Sequence, residues 1–528
     1  MVLTMLLPQL QQALQSSDWV GAIAFLNQAI TDEPTNPRLH NTLGNVYKKT
    51  NALDLARASY QTAIHLNPAY AEAHHNLAAL YALQGDYQQA LSHYREAVHA
   101  KPDFIEAHYN LGLLLLKQNH LDPATIQFQN VLALNPAHLQ AHFYLGVLAL
   151  NRNDLKTASH SFQQVLAFDP EHVFALINTG VIALKEEHSQ LAVDYFTKAL
   201  ALDNNNVEAR YNLAATFIHH DRFENALTHY QILLEHDPKH LDYLYNAGVA
   251  QMALGHLQEA CDFFHTLLTE HPDHFEALSN LAAIHTRLGD RTLAATLLEQ
   301  ALHLRPTDEA TQFMLCALTR NNKQPPTAPT YVTHLFDHYA LTYDGHLEQV
   351  LHYELPKHIS RLIHQLPPIT DRQCLDLGCG TGLSGAVLRE SSQTLTGVDL
   401  SPKMLKQADK KGIYDRLVTS ELVLFLEQEK SQYDLIVAAD VLPYLGDLEP
   451  LFSALLPRLT PQGHVLFSHE ISPDLPWQLQ ASARFSHSPD YLLTLCAEHG
   501  LQVVHQEPVL ARMQEGNPLY VMLYTLKR

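Results

Sequence analysis

The sequence predicts a chain in two parts: an all-α superhelix of repeated helix pairs over residues 1–320, and an α/β domain with a seven-stranded sheet over residues 331–528. Three observations carry that reading. Prolines recur every 34 residues through the first part of the chain. Beyond it, apolar strand-like runs alternate with helical stretches, the pattern of a mostly parallel sheet covered by helices. Between the first two such runs stands a glycine cluster, Cys374 to Leu388, which reads as strand, tight turn and helix N-terminus. Free backbone N–H groups face a ligand at such a turn, so it is a nucleotide site.

The bulk properties agree. At 528 residues and 46% hydrophobic content, the chain has material for more than one packed core. A formal charge of −21 excludes a phosphate-backbone binder and leaves room for a basic protein partner. Five cysteines form no CxxC pair, which points to a reducing compartment. The opening MVLTMLLPQLQQALQ has no lysine or arginine before Arg38 and is too short for a membrane span. The expectations are therefore a cytoplasmic protein, with neither nucleic acid nor membrane as a partner.

In the first part, prolines stand at Pro34, Pro68, Pro102, Pro136, Pro170, Pro238, Pro272 and Pro306, with Asn204 filling the gap in the series. Alanine keeps the same period from Ala22 to Ala294, as does a bulky ring (Tyr60, Tyr94, Phe128, Phe162, Phe196, Tyr230, Phe264). A small residue recurs as Gly44, Ala78, Gly112, Gly146, Gly180, Ala214, Gly248 and Ala282. Two helices per unit account for these registers. Small residues let paired helices approach, the ring wedges into the neighbouring pair, and proline stops the second helix. About nine units cover residues 3–306, TDEATQFMLCAL then forms a capping helix, and the polar, proline-rich TRNNKQPPTAPT (Thr319 to Thr330) reads as a semi-stiff linker, with 321–330 separating the two parts.

This periodicity resembles the tetratricopeptide repeat family, whose first helices line a groove that commonly holds peptide segments. In that register Asn76, Asn110, Asn178, Asn212, Asn246 and Asn280 fall on the inner face, with Thr42 and Tyr144 breaking the row. A side-chain amide both donates and accepts, so such a row can pair with any peptide backbone. The array is similar to that of O-linked N-acetylglucosamine transferase, where an asparagine ladder holds protein substrate in this way. Asparagine is also simply frequent at this position of the repeat. Glu72, Glu106, Glu208, Asp242 and Glu276 lie one turn before the row and would favour a basic segment, although such rows are commonly just solvated. His40, His74, His108 and His142 also repeat. Equivalent residues on helices about 8–10 Å apart cannot converge on one ion, so no metal is expected and these rings read as fillers.

In the second part the glycine cluster admits two readings. Gly380, Gly382 and Gly385 satisfy the dinucleotide pattern G-x-G-x-x-G, with Asp399 at a suitable distance. The same stretch also reads Asp376-x-Gly378-x-Gly380-x-Gly382. Seven strand candidates follow one another: QCLDLG, TLTGVDL, RLVTS, YDLIVAAD, GHVLFSHE, LQVVHQE and LYVMLYTL. An adjacent pair at the end implies a closing antiparallel hairpin.

That order, with DLGCGTG, DLSPKML, YDLIVAADVLPYLGDL and LLPRLTPQGHVLFSHE, resembles the class I S-adenosylmethionine-dependent methyltransferases, a Rossmann-like fold. FDHYALTYDGHL is similar to the lead-in of several small-molecule methyltransferases, and ARFSHSPDYLLTL to a segment of methyltransferases fused to tetratricopeptide repeats. The resemblance implies S-adenosylmethionine as cofactor. It places the methionine moiety on Gly378, Gly380 and Gly382, its ammonium near Asp376, and the ribose hydroxyls on Asp399. Leu400 and Met404 would flank adenine, with Glu421 at its amino group and Asp440 ending the fourth strand. Tyr339 and Tyr343 would face the cofactor or substrate from a lid helix. Gln462 stands where the family's L-x-P-G-G turn has glycine.

Methyl transfer needs positioning above all, and a base only for a protonated acceptor. His487, Asp440, His469 and Tyr444 fall near the expected strand ends and are the candidates. Two functions follow. In one, a methyltransferase acts on a protein or peptide presented by the repeats. In the other, the repeats scaffold a complex while the second domain methylates a small molecule or only senses the cofactor.

Overall fold

The computed structural model describes residues 10–319, 329–340, 343–369, 371–472, 475–480, 482–514 and 517–528. All but the last two residues of the expected linker lie outside them. Cα packing divides the chain into two compact units, 1–250 and 251–528.

Helices of 14 and 13 residues alternate from Trp19–Asp32 and Pro37–Lys49 onwards, ending at Glu309–Thr319. A left-handed residue recurs in the turn inside each pair, at Asn51, Gly85, Asn119, Asn153, Glu187, Asp221, Gly255 and Gly289. Asn and Gly tolerate this conformation best, which explains most of that register. A Cβ on Gly44, Gly112, Gly146 or Gly180 would fall 2.5–2.9 Å from the ring of Tyr60, Phe128, Phe162 or Phe196. The ring seats on the glycine of its own pair and also meets the next pair, as Tyr60 does with Leu77 and Leu80. Phe128 also stacks on Tyr144 of the following helix, with centroids 5.4 Å apart. The repeated histidines are not mere fillers. Nε2 of His40, His74, His108 and His142 lies 2.9–3.0 Å from the carbonyl oxygen of Pro34, Pro68, Pro102 and Pro136, tying the first helix to the turn before it. No helix among the described residues is long and apolar enough to cross a membrane.

In the second unit, β1 (Gln373–Leu377), β2 (Thr394–Asp399), β3 (Arg416–Thr419), β4 (Tyr433–Ala438) and β5 (Leu459–Ile471) are parallel, in the order β3-β2-β1-β4-β5. The expected hairpin is β8 (Gln502–Gln514) with β9 (Asn517–Lys527), and β9 pairs antiparallel to β5. Two short strands absent from the sequence reading, β6 (Trp477–Leu479) and β7 (Phe485–His487), extend the sheet beyond the end of β5. Neighbouring strand residues face opposite cores. Leu435 and Val437 pack with Leu355, Ile359 and Leu388, whereas Ile436 and Ala438 pack with Phe425, Phe452 and Leu492. Both faces of the sheet are therefore covered by helices. These are α2 (Leu355–Gln365), α3 (Leu383–Arg389), α4 (Pro402–Lys410), α5 (Leu422–Gln428), α6 (Glu449–Leu455) and α7 (Pro489–Glu498), while α1 (Pro329–Tyr339) packs on α4. Strand order reverses between β1 and β4, which opens a crevice at their C-terminal ends.

Candidate active site

The crevice is lined by the loop after β1 (Gly378, Gly380, Thr381), the end of β2 (Asp399, Leu400), Met404 of α4, and Glu421 with Leu422 at α5. On the other side stand Phe336 of α1, Tyr343, Leu347, Tyr353, Asp440, Tyr444 and Leu445. Gly378, Gly380 and Gly382 all have positive φ (66°, 54° and 91°), so the loop needs glycine for its path alone. A Cβ on Gly380 would meet nothing within 4 Å. The backbone there is open to a ligand.

Asp399 holds this loop. Its Oδ2 accepts from Gly380 N–H and its Oδ1 from Ser401 N–H, each at 2.8 Å. Burial pushes its pKa up against those backbone bonds. Asp376 lies beneath the loop, fully buried and off the crevice wall, and accepts from the Tyr414 hydroxyl at 2.7 Å. Burial raises it to about 7, the bond from Tyr414 opposes the rise, and the neighbouring charge of Asp399 adds to it. Tyr414 also explains Gly385, where a Cβ would collide with its hydroxyl. The third glycine of the dinucleotide pattern is therefore a packing requirement. Gly382 caps α3 and, like Asp376, does not line the crevice. Glu421 caps α5, its Oε2 accepting from Leu424 N–H at 2.8 Å.

The residues present fit an adenosyl group. Two carboxylates, Asp399 and Glu421, stand on one wall as acceptors, with Leu400, Met404 and Leu422 as apolar surface for a planar ring. A lid covers this end. Asp337 of α1 accepts from the Ser401 hydroxyl, and Asp344 accepts from that of Thr381 while pairing with Lys411 at 2.7 Å. Tyr343 lines the crevice on the side of Asp440 and Tyr444. The side chain of Tyr339 lies outside the described residues.

The opposite end carries a charge network that the sequence reading missed. Asp440, itself at φ 54°, is gripped by Arg484 on Oδ1 (2.6 Å) and by Arg512 on Oδ2 (2.5 Å). Arg484 also donates to Glu470 (2.7 Å) and to the Tyr444 hydroxyl (2.6 Å). Burial raises the pKa of Asp440, but the two guanidiniums outweigh it and hold the carboxyl below its ordinary value. The expectation of Asp440 as a base is corrected: a carboxylate held by two arginines takes up a proton poorly. His469 and His487 are corrected also. Both are fully buried and neither lines the crevice. His469 bonds the Glu470 carbonyl at 3.0 Å and His487 the Gly446 carbonyl at 2.9 Å. Arg484 lies in the stretch RFSHS, but nothing local in the sequence marks which arginine turns inward. Arg512 sits on β8 and meets Asp440 only through the sheet order.

The expected groove residues are all half-buried on first helices. Asn76 donates to Asn41 of the preceding first helix (3.0 Å), and Asn110 bonds His75 in the same way (2.8 Å). Asn178 and Asn246 turn back to their own helix, donating to Phe174 O and Asp242 O. Of the acidic row, Glu72 pairs with Lys101 (3.2 Å) and Glu276 with Arg305 (2.7 Å).

Comparison with known proteins agrees with both parts. Residues 375–465 match the model of a methyltransferase domain, and residues 44–119, 109–207 and 183–319 match models of tetratricopeptide repeats. Nodulation protein S of Rhizobium tropici is 31% identical over 121 residues, 22% of this chain and 50% of that protein. A ubiquinone biosynthesis O-methyltransferase of Paracidovorax citrulli is 29% identical over 113 residues, 20% of this chain and 47% of that protein. The chain thus spans about half the length of these curated relatives. Among solved structures, YrrB, described as a TPR protein with an unusual peptide-binding site, aligns at TM-score 0.33 and 25% identity, covering 35% of this chain and 95% of that one.

Proposed function

We propose that this chain, which joins tetratricopeptide repeats to a methyltransferase domain, transfers a methyl group from S-adenosylmethionine to an acceptor carried by a protein or peptide held in the repeats. The working parts are the repeats at 1–320 and the catalytic domain at 331–528. The observation that carries the cofactor reading is Asp399, whose carboxylate both fixes the glycine loop and lines the crevice beside Leu400 and Met404. The cofactor supplies an already activated methyl group, so the protein has to bind, align and exclude water. Asp399 and Glu421 would hold the adenosyl end, and the lid bonds of Asp337 and Asp344 would keep solvent out.

The half-buried amides of the first helices support a groove for an extended peptide. A second reading, in which the repeats only assemble a complex, gains support from Asn178 and Asn246, whose amides already bond their own helices. The test is incubation of the full chain with methyl-labelled S-adenosylmethionine and a fractionated cell extract, beside calorimetry with S-adenosylhomocysteine and with NAD. Binding of S-adenosylhomocysteine and label in the protein fraction support the proposal. Binding of NAD alone defeats the cofactor reading, and label confined to small molecules favours the assembly reading.

A further inference from the structure

The acceptor end of the crevice is rich in hydrogen-bond donors and poor in bases. Among the described residues, the titratable groups lining the crevice as a whole are few, and each is accounted for. Asp399 is tied to backbone N–H groups, Glu421 caps α5, and Asp440 is gripped on both oxygens by guanidiniums. Burial pushes the thiol of Cys379 well up. No histidine is among the described lining residues.

Three tyrosines remain, Tyr343, Tyr353 and Tyr444, set around Asp440 and its two arginines. Burial raises the pKa of all three, so they stay protonated and act as donors. The Tyr444 oxygen already accepts from Arg484, which leaves its own proton to give. The hydroxyls of Tyr343 and Tyr353 have no hydrogen-bond partner among the described residues. Phe336 stands edge-on to Tyr444 and Tyr343, at 5.2 Å and 6.0 Å, and walls this end with apolar surface.

A hydroxyl or ammonium acceptor must lose a proton, and among the described residues this end offers no free group to take it. An acceptor that arrives as an anion needs none and is held by donors. Resting on the methyltransferase reading, we propose that the acceptor is a carboxylate, oriented by the hydroxyls of Tyr343, Tyr353 and Tyr444, and that the product is a methyl ester. In the step, a carboxylate oxygen forms the bond to the methyl carbon of the sulfonium donor. The carbon–sulfur bond breaks, its electron pair stays on sulfur as a neutral thioether, and no proton moves.

The test uses the full chain, methyl-labelled S-adenosylmethionine and cell extract, with the labelled fractions then treated with alkali. A methyl ester releases its label as volatile methanol, whereas methyl ethers, thioethers and amines keep it. The expected result is near-complete release, in the protein fraction if the carboxylate belongs to a polypeptide and in the small-molecule fraction if it does not. Tyr343→Phe and Tyr444→Phe should each lower labelling roughly tenfold to a hundredfold, the worth of one hydrogen bond to a charged group. Both should leave S-adenosylhomocysteine affinity within about twofold, well under the tenfold that 1.4 kcal/mol represents. Alkali-stable label overturns the proposal and leaves the methyltransferase reading standing. Failure to bind S-adenosylhomocysteine overturns both. Binding without label in any fraction overturns the carboxylate proposal, because extract supplies carboxylates of every common class.

Discussion

The ring of Phe313 lies 6.0 Å from that of Phe485. The first stands in helix 309–319, where the repeat pattern ends, and the second on β7, next to Arg484. Phe313 also meets Tyr331 of the lid helix at 5.2 Å, and Ala317, Leu479 and Ala483 complete the buried cluster. The last helix of the repeat pattern is therefore packed on the lid helix and on the β6–β7 segment, and the charge network that grips Asp440 begins one residue from that contact.

Phe313→Ala should destabilise the second unit by about 3 kcal/mol, as for a buried phenylalanine emptied to a methyl group. Helix 309–319 should unfold with the catalytic core, and not in a transition of its own. Calorimetry of the variant, with hydrogen exchange across 309–319, checks both points. An unchanged melting midpoint would falsify the packing role.

Asp440→Asn should be strongly destabilising, by about 3–5 kcal/mol, because it leaves two buried guanidiniums without their carboxylate. The folded pKa of Asp440 lies below its ordinary 3.8. Its stabilisation is thus present above about pH 4 and is lost as pH falls through the folded value. Denaturant titrations at pH 7 and pH 3 should show the gap between parent and variant narrowing in acid. A gap that stays constant would mean the pairing contributes nothing.

Asp376 behaves in the opposite sense. Its folded pKa of about 7 lies above the ordinary 3.8, so ionisation opposes folding, and this cost grows as pH rises between those values. Asp376→Asn should be more stable than the parent at pH 8, with the advantage fading towards pH 4. If Asp376 steadies the ammonium of the cofactor, S-adenosylhomocysteine affinity should rise from pH 6 to pH 8 in the parent and stay flat in the variant. Parallel pH profiles would remove Asp376 from the binding site.

His487→Asn should keep methyl transfer within a few-fold and lower stability, since the ring is buried and bonds the Gly446 carbonyl off the crevice. A loss of several orders of magnitude in kcat, with the cofactor still bound, would restore this histidine as a base.

Asn178, Asn212 and Asn246 replaced together by alanine should abolish labelling of protein while leaving S-adenosylhomocysteine binding unchanged. Several backbone hydrogen bonds at about 1 kcal/mol each would be lost together. If Glu106, Glu208 and Asp242 favour a basic segment, binding should also weaken with salt. Protein labelling equal to that of the parent would shift the weight to the assembly reading.

The sequence by itself determined the repeat, its helix pairs and the seven principal strands, because those follow from local periodicity, proline placement and glycine turns. It also determined the glycine loop, since Gly378 to Gly382 and Asp399 meet within one strand–turn–helix unit and the strand beside it. The role of the repeated histidines was within reach too, for each bonds a carbonyl only six residues away. The Asp440 end of the crevice was decided by tertiary structure alone. Asp440, Arg484 and Arg512 are separated by up to 72 residues and meet only through the sheet, Arg484 beside β7, which pairs with β5, and Arg512 on β8 beyond β9. His469 and His487 stand near strand ends in the sequence, yet the sheet turns them inward. Which side of a strand faces the crevice is set by pairing and pleat, and a charge becomes a partner or a base according to what other strands bring against it.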